Sequence, residues 1–166
     1  MSEISSDLKK KIASSLLTKG RALRFKEFID LKKKDVYRLD KRQEGKITAL
    51  AADDFENLAK EIGFEKLEDS DSVEKASNII GIFLAEVEPV ILKIAFEPRF
   101  KFVKQLYNWF EENIKKAFLL DFTLDSSVVG GTEVVYKGKF YDLSLNTKLT
   151  RYFEEKRDEI RPILQK

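Results

Sequence analysis

The chain has 166 residues, 43% of them hydrophobic and 13 of them Phe, enough apolar material for one ordinary domain or two small ones and too much for wholesale disorder. It contains no Cys and no His, which excludes disulfides, thiolate metal sites and Cys nucleophiles, and removes the commonest general base and metal ligand. The net charge of +2 is unevenly spread: residues 1–45 hold 13 Lys and Arg against 7 Asp and Glu, residues 46–100 hold 6 against 12, and residues 101–166 hold 12 against 10. Such a dipolar chain suits protein partners better than a nucleic-acid duplex, which favours one dominant basic face. No run approaches the roughly 18 apolar residues of a membrane span. Met1 to Asp7 lacks the basic start and apolar stretch of a secretory signal. The expectation is a soluble cytoplasmic protein, or one held at a membrane by partners.

The first half reads as helices. Ser5 or Ser6 caps a helix with Ile4, Leu8, Ile12 and Leu16 at spacings of four, and Gly20 interrupts it. A second pattern runs from about Arg21 to Lys41, with Phe25, Phe28, Ile29, Val36 and Leu39 on one stripe, and Gly45 ends it. Asp53 and Asp54 open a third helix carrying Phe55, Leu58, Ala59 and Ile62, with Gly63 as terminator. After a polar loop over residues 65–70, Asp71 and Glu74 form a capping-box pair. They start a helix with Val73, Ala76, Ile80, Phe83, Leu84 and Val87.

Beyond Glu88-Pro89 the pattern changes to α+β. Val90 to Phe96 is β-branched and strand-length. Glu97-Pro98 opens a helix with Phe100, Val103, Tyr107, Phe110 and Ile114 on its apolar face. Phe118, Leu120, Phe122 and Leu124 alternate with Leu119, Asp121 and Thr123 in the clearest strand. Thr132–Tyr136 and Lys139–Leu143 read as a hairpin joined at Lys137-Gly138. Ser144 caps a last helix with Leu145, Leu149, Tyr152, Phe153 and Ile160, and Pro162 marks its end. The expected organisation is an N-terminal helical bundle of about four helices over residues 1–86 and a small βαββα domain over residues 87–166.

One constellation is more specific than the rest. Asp125, two small polar residues, Val128, Val129, Gly130 and Gly131 precede a hairpin tipped by Gly138 and a helix opened by Ser144. The glycines are expected to supply positive φ or a close backbone approach as the chain re-enters the sheet. In this order and spacing the segment from Phe118 to Leu149 resembles the C-terminal domain of the delta subunit of F-type ATP synthases and of the related oligomycin-sensitivity-conferring protein. The region before it is divergent or shortened relative to the family's six-helix bundle, and Ser126 stands where the family usually has Pro. The resemblance implies a peripheral-stalk protein with no catalysis and no cofactor. Its C-terminal domain would contact the membrane-anchored b subunits, and its helical region the alpha subunits of the catalytic head. Nucleic acid is not an expected partner, and contact with the cytoplasmic face of the membrane would be indirect.

Other readings stand beside this one. Asp121, inside an apolar strand, would be an acid or base if buried, or lies on the outer face beside Thr123. Asp53-Asp54 reads as a helix start rather than a metal site, and no phosphate-binding glycine loop occurs. The basic N-terminal third, with Phe25 and Tyr37 interleaved, fits a solvated helix face, an acidic partner or, as the alternative function, a small basic adaptor or nucleic-acid-binding protein. The candidate interface residues are Trp109 (the only Trp), Phe110, Leu149, Tyr152 and Phe153. Trp109 is an interface anchor or packs under the sheet.

Overall fold

The computed structural model describes residues 4–37, 49–64, 67, 69–128 and 130–156. Several expectations fall outside these residues: the helix end near Lys41 and Gly45, half of the 65–70 loop, Val129, Ile160 and Pro162, and also the side chains of Asp53 and Phe153. The described chain is α+β. Its elements are α1 (Ser6–Leu16), α2 (Lys19–Tyr37), α3 (Ala49–Ile62), α4 (Ser70–Glu86), β1 (Glu88–Ile94), α5 (Phe100–Asn113), β2 (Phe118–Leu124), β3 (Glu133–Tyr136), β4 (Lys139–Asp142) and α6 (Leu145–Glu155).

Ser5 is the cap of α1: its Oγ accepts from the Leu8 N–H at 3.3 Å, which satisfies one of the orphan donors of the first turn. The helix is interrupted at Leu17, not at Gly20, which lies in the first turn of α2. Leu17 has φ 65 and ψ −47, and the Thr18 N–H donates to the Leu16 carbonyl at 2.7 Å, so the three residues make a strained γ-turn. One helical bond and one long-range bond hold it. The Leu17 N–H donates to Ala13 O at 2.8 Å, and the Leu17 carbonyl accepts from the Leu120 N–H at 2.9 Å on the edge of β2. Thr18 and Leu120 form a parallel bridge there. The corner between α1 and α2 thus caps one sheet edge, a position that would otherwise offer unpaired backbone groups.

α2 buries Ala22, Phe25, Phe28 and Ile29. Phe25, Phe28 and Phe55 of α3 form a ring cluster with centroids 5.7 to 6.3 Å apart. α3 begins at Ala49, so Asp53 and Asp54 lie within it rather than opening it. The cap of α4 is Asp69, not Asp71: its carboxylate accepts from the Ser72 N–H and Oγ, both at 2.8 Å. The buried stripe Val73, Ala76, Ile80 and Phe83 follows the expected helical period. α4 runs almost directly into β1, which begins two residues earlier than its β-branched run because Glu88 and Pro89 already pair with Phe118 and Leu119.

The sheet is mixed, in the order β2-β1-β3-β4. β1 and β2 are parallel and joined through α5, β3 is antiparallel to β1, and β4 is antiparallel to β3. Register places Val90, Leu92 and Ile94 on the same face as Phe118, Leu120 and Val134. α5 covers part of this face: Tyr107 stacks on Phe118 at 4.6 Å and Phe110 meets it edge-on at 6.2 Å. Pro98 precedes the helix rather than occupying its first position. Phe100, expected on the apolar face, is 61% exposed, with the Arg21 guanidinium 5.7 Å from its ring centroid. Leu119 is buried as well, so both faces of β2 are covered at this end, while Leu124 is exposed. Lys137 and Gly138 join β3 to β4 with φ 51 and 72, the pair of positive φ values that a two-residue type I′ turn requires. One continuous buried cluster runs from Ile4 through all four N-terminal helices to Val134.

Candidate interaction surface

The glycine-containing loop is held by short-range polar contacts. The Asp125 carboxylate accepts from the Ser127 N–H at 2.9 Å and from its Oγ at 2.6 Å, and these bonds lower the Asp125 pKa below its usual value. Val128 is buried beneath the loop. Gly130 and Gly131 then adopt φ 65 and 73. A Cβ on Gly130 would lie 2.6 Å from Leu145 Cδ1, and one on Gly131 would lie 2.3 Å from the Leu143 carbonyl oxygen. Both glycines therefore press against the junction of β4 and α6. The Leu145 N–H donates to Gly130 O at 3.2 Å, and the Leu143 N–H to Thr132 O at 2.9 Å. Gly138 has open space around it, so only its φ asks for glycine.

The start of α6 is fixed by Asp142 and Ser144. The Ser144 N–H donates to Asp142 Oδ1 at 2.9 Å, the Thr147 hydroxyl donates to Asp142 Oδ2, and Ser144 Oγ accepts from the Thr147 N–H. The Thr147 hydroxyl, followed by Ser144, holds the Asp142 pKa below its usual 3.8. A carboxylate lowered in the folded state contributes stability above its unfolded pKa and loses it as pH falls through the folded value. We expect the amides of the first α6 turn to exchange faster relative to core amides when the pH is lowered from 5 to about 3. Hydrogen exchange with Asp142→Asn as control checks this, since the variant should show the faster exchange already at pH 5.

The candidate interface residues fall into three situations. Trp109 is 55% exposed on α5, edge-on to Phe110 at 4.9 Å, with its carbonyl accepting from Asn113 Nδ2. Phe110 faces inward at 8% exposure and is a core residue. Leu149 and Tyr152 are 45% and 55% exposed on α6, so the apolar stripe of that helix is only half covered within the described chain.

Trp109 is one wall of an open groove of about 520 Å³. Leu106 and Asn113 continue that wall, and Tyr136, Tyr141 and Leu143 of the hairpin form the opposite one. Leu92, Phe110 and Val134 lie at its base. The hairpin wall carries little signal in the sequence. Its only signal there was the strand alternation that puts Tyr136 and Tyr141 on one face with Val134. A second cleft, about 380 Å³, lies between the α1–α2 corner and the start of α5, lined by Arg21, Arg24, Glu97, Phe100 and Asp121 among others.

The remaining candidates are paired or open. Asp121 is not buried: its side chain is 30% exposed and bonds Lys19 Nζ at 2.9 Å. In the basic third, Lys26 pairs with Asp30, Lys32 with Glu56 and Lys33 with Glu74, at 2.5, 2.7 and 3.6 Å. Exposed pairs of this kind add little stability, but they do turn these lysines toward neighbouring carboxylates. Among the described residues no helix is long and apolar enough to cross a membrane. Compared with known proteins, the chain matches no family model and no curated protein.

Proposed function

We propose that the chain is a non-catalytic, delta-type subunit of the peripheral stalk of an F-type ATP synthase. In this reading it links the catalytic head to the membrane-anchored b subunits at the cytoplasmic face and supports proton-driven ATP synthesis. The finer division belongs to the same proposal: a helical region over residues 1–86 facing the alpha subunits, and a βαββα region over residues 87–166 facing the b subunits. The observation that carries the reading is the unit built by Asp125, Gly130, Gly131, Gly138 and Ser144. Its spacing is the basis of the family resemblance, and here both glycines of the pair pack closely on the start of α6.

A stator needs broad interfaces on rigid elements rather than a reactive site. Three features support that role. The α1–α2 corner is hydrogen-bonded to the edge of β2, one buried cluster joins the helices to the sheet, and the exposed apolar residues gather along α5, the hairpin and α6. Torque applied at one end would then be borne by the packed whole.

The test is affinity purification of the tagged full chain from detergent-solubilised membranes of its own organism. Co-elution of a b-type subunit and of alpha subunits is the expected result. Elution without either, from membranes that retain an assembled ATP synthase, would overturn the proposal.

A further inference from the structure

We infer that the β1–α5 connection and the first turn of α5 bind directly to an anionic lipid surface, with Phe96 and Phe100 entering the bilayer interface. The arginines and lysines around these rings face the headgroups. The stalk reading implies only indirect membrane contact, so the inference goes beyond that reading and does not rest on it.

The apolar half of the argument is a local excess of exposed rings. Phe96-Glu97-Pro98-Arg99-Phe100-Lys101-Phe102 alternates aromatic and basic residues. A protein surface normally scatters such rings singly. Here Phe96, Phe100 and Phe102 are all exposed on one connection and one helical turn, and Phe96 meets Phe102 at 5.5 Å. Leu124, the register partner of Ile94, is exposed where β1 and β2 end together. The core beneath is closed without them, by the buried Ile94 and Val103.

The polar half is uncompensated positive charge. Arg99, Lys101 and Lys104 are exposed on the same segment. Arg21 and Arg24 reach it from α2, along the cleft of about 380 Å³ that Phe100 also lines. None of these five cations is in an ion pair among the described residues, whereas Lys19, Lys26, Lys32 and Lys33 all are. Glu97 is the only acid in residues 94–104, and Asp121 on the cleft wall is bonded to Lys19. Cations ringing exposed apolar side chains make an interfacial anchor: the rings supply buried area, and the cations draw the surface to anionic headgroups. Single-stranded nucleic acid is the less suited occupant. The Arg21 guanidinium already lies over the Phe100 ring, and Phe96 and Phe102 meet at 66° rather than as parallel platforms for bases.

The purified full chain is floated with vesicles of phosphatidylcholine alone, and with vesicles made half of phosphatidylglycerol. Binding is expected to the anionic vesicles only, and to weaken as salt is raised. Phe96→Ser with Phe100→Ser keeps the charge and should weaken binding at least about tenfold. Arg99→Glu with Lys101→Glu should weaken it as much. Two controls should bind much as the parent does. Lys115→Glu with Lys116→Glu makes the same charge change beyond the far end of α5, and Phe140→Ser removes an exposed ring from the hairpin. All these side chains are exposed, and thermal melts confirm that each variant is folded.

No binding by the parent, or equal binding to neutral vesicles, overturns the inference and leaves the stalk reading standing. Equal losses in the patch variants and their controls also overturn it, since binding then follows net charge or general stickiness. A single-stranded oligonucleotide that binds the parent, is lost in both patch variants and finds no counterpart in vesicle binding would assign the patch to nucleic acid instead.

Discussion

Replacing Phe118 by Ala is expected to destabilise the chain by about 3–5 kcal/mol, as truncations of buried aromatic side chains do. Phe118 is 1% exposed and receives both Tyr107 and Phe110 of α5. Its loss removes the transfer energy of the ring and leaves a cavity where α5 meets the sheet. Measured as a melt, the change should be roughly 10 °C. The more informative outcome is how the two signals move. Far-UV circular dichroism reports mainly the helices of the first half, whereas Trp109 fluorescence reports the sheet side. Because one buried cluster joins them, the two transitions should coincide in the parent and shift together in Phe118→Ala. Two separated transitions, with only the fluorescence one displaced, would mean that residues 1–86 unfold as an independent unit.

What the sequence made legible follows from the range of the interactions involved. The α4 stripe, the β2 alternation and the Lys137-Gly138 turn are set by residues a few positions apart, and each was readable as a period or a turn signal. The Leu17 break was not readable. Nothing local favours positive φ at a leucine, and the bond that holds it comes from Leu120 on a strand far along the chain. At the start of α4 two acids compete for the cap. Asp69 wins over Asp71 because Ser72 offers it both an N–H and a hydroxyl. The candidate surface was half legible. Trp109 stood out as a unique residue beside an apolar stripe, but whether it faced in or out depended on the rotation of α5. That rotation is fixed by the ring contacts of Tyr107 and Phe110 on Phe118, which turn Phe110 into the core and leave Trp109 at the rim. Tyr136 and Tyr141 became a wall only once the β1–β3 register placed the hairpin beside that rim.

Gly131 and Gly138, both at positive φ, give a matched pair for the second large effect. Gly138→Ala should cost only about 1–2 kcal/mol, the price of left-handed backbone at a residue with a Cβ, since no atom lies within 4 Å of the added methyl. Gly131→Ala carries the same backbone term and adds a collision. Its Cβ would stand 2.3 Å from the Leu143 carbonyl oxygen and 3.0 Å from Ser144 Cα, both backbone atoms that cannot swing aside as a side-chain tip can. The β4–α6 junction must shift, which strains the Leu143 N–H bond to Thr132 O and the capping of α6 by Ser144 and Asp142. We expect roughly 3 kcal/mol or more for Gly131→Ala, measured by urea unfolding, and a larger loss of protection in α6 than in β1 by hydrogen exchange. Equal effects at the two glycines would mean that the loop moves freely away from α6. The pair would then be a turn and nothing more, and the physical support that its packing lends to the stalk reading would be gone.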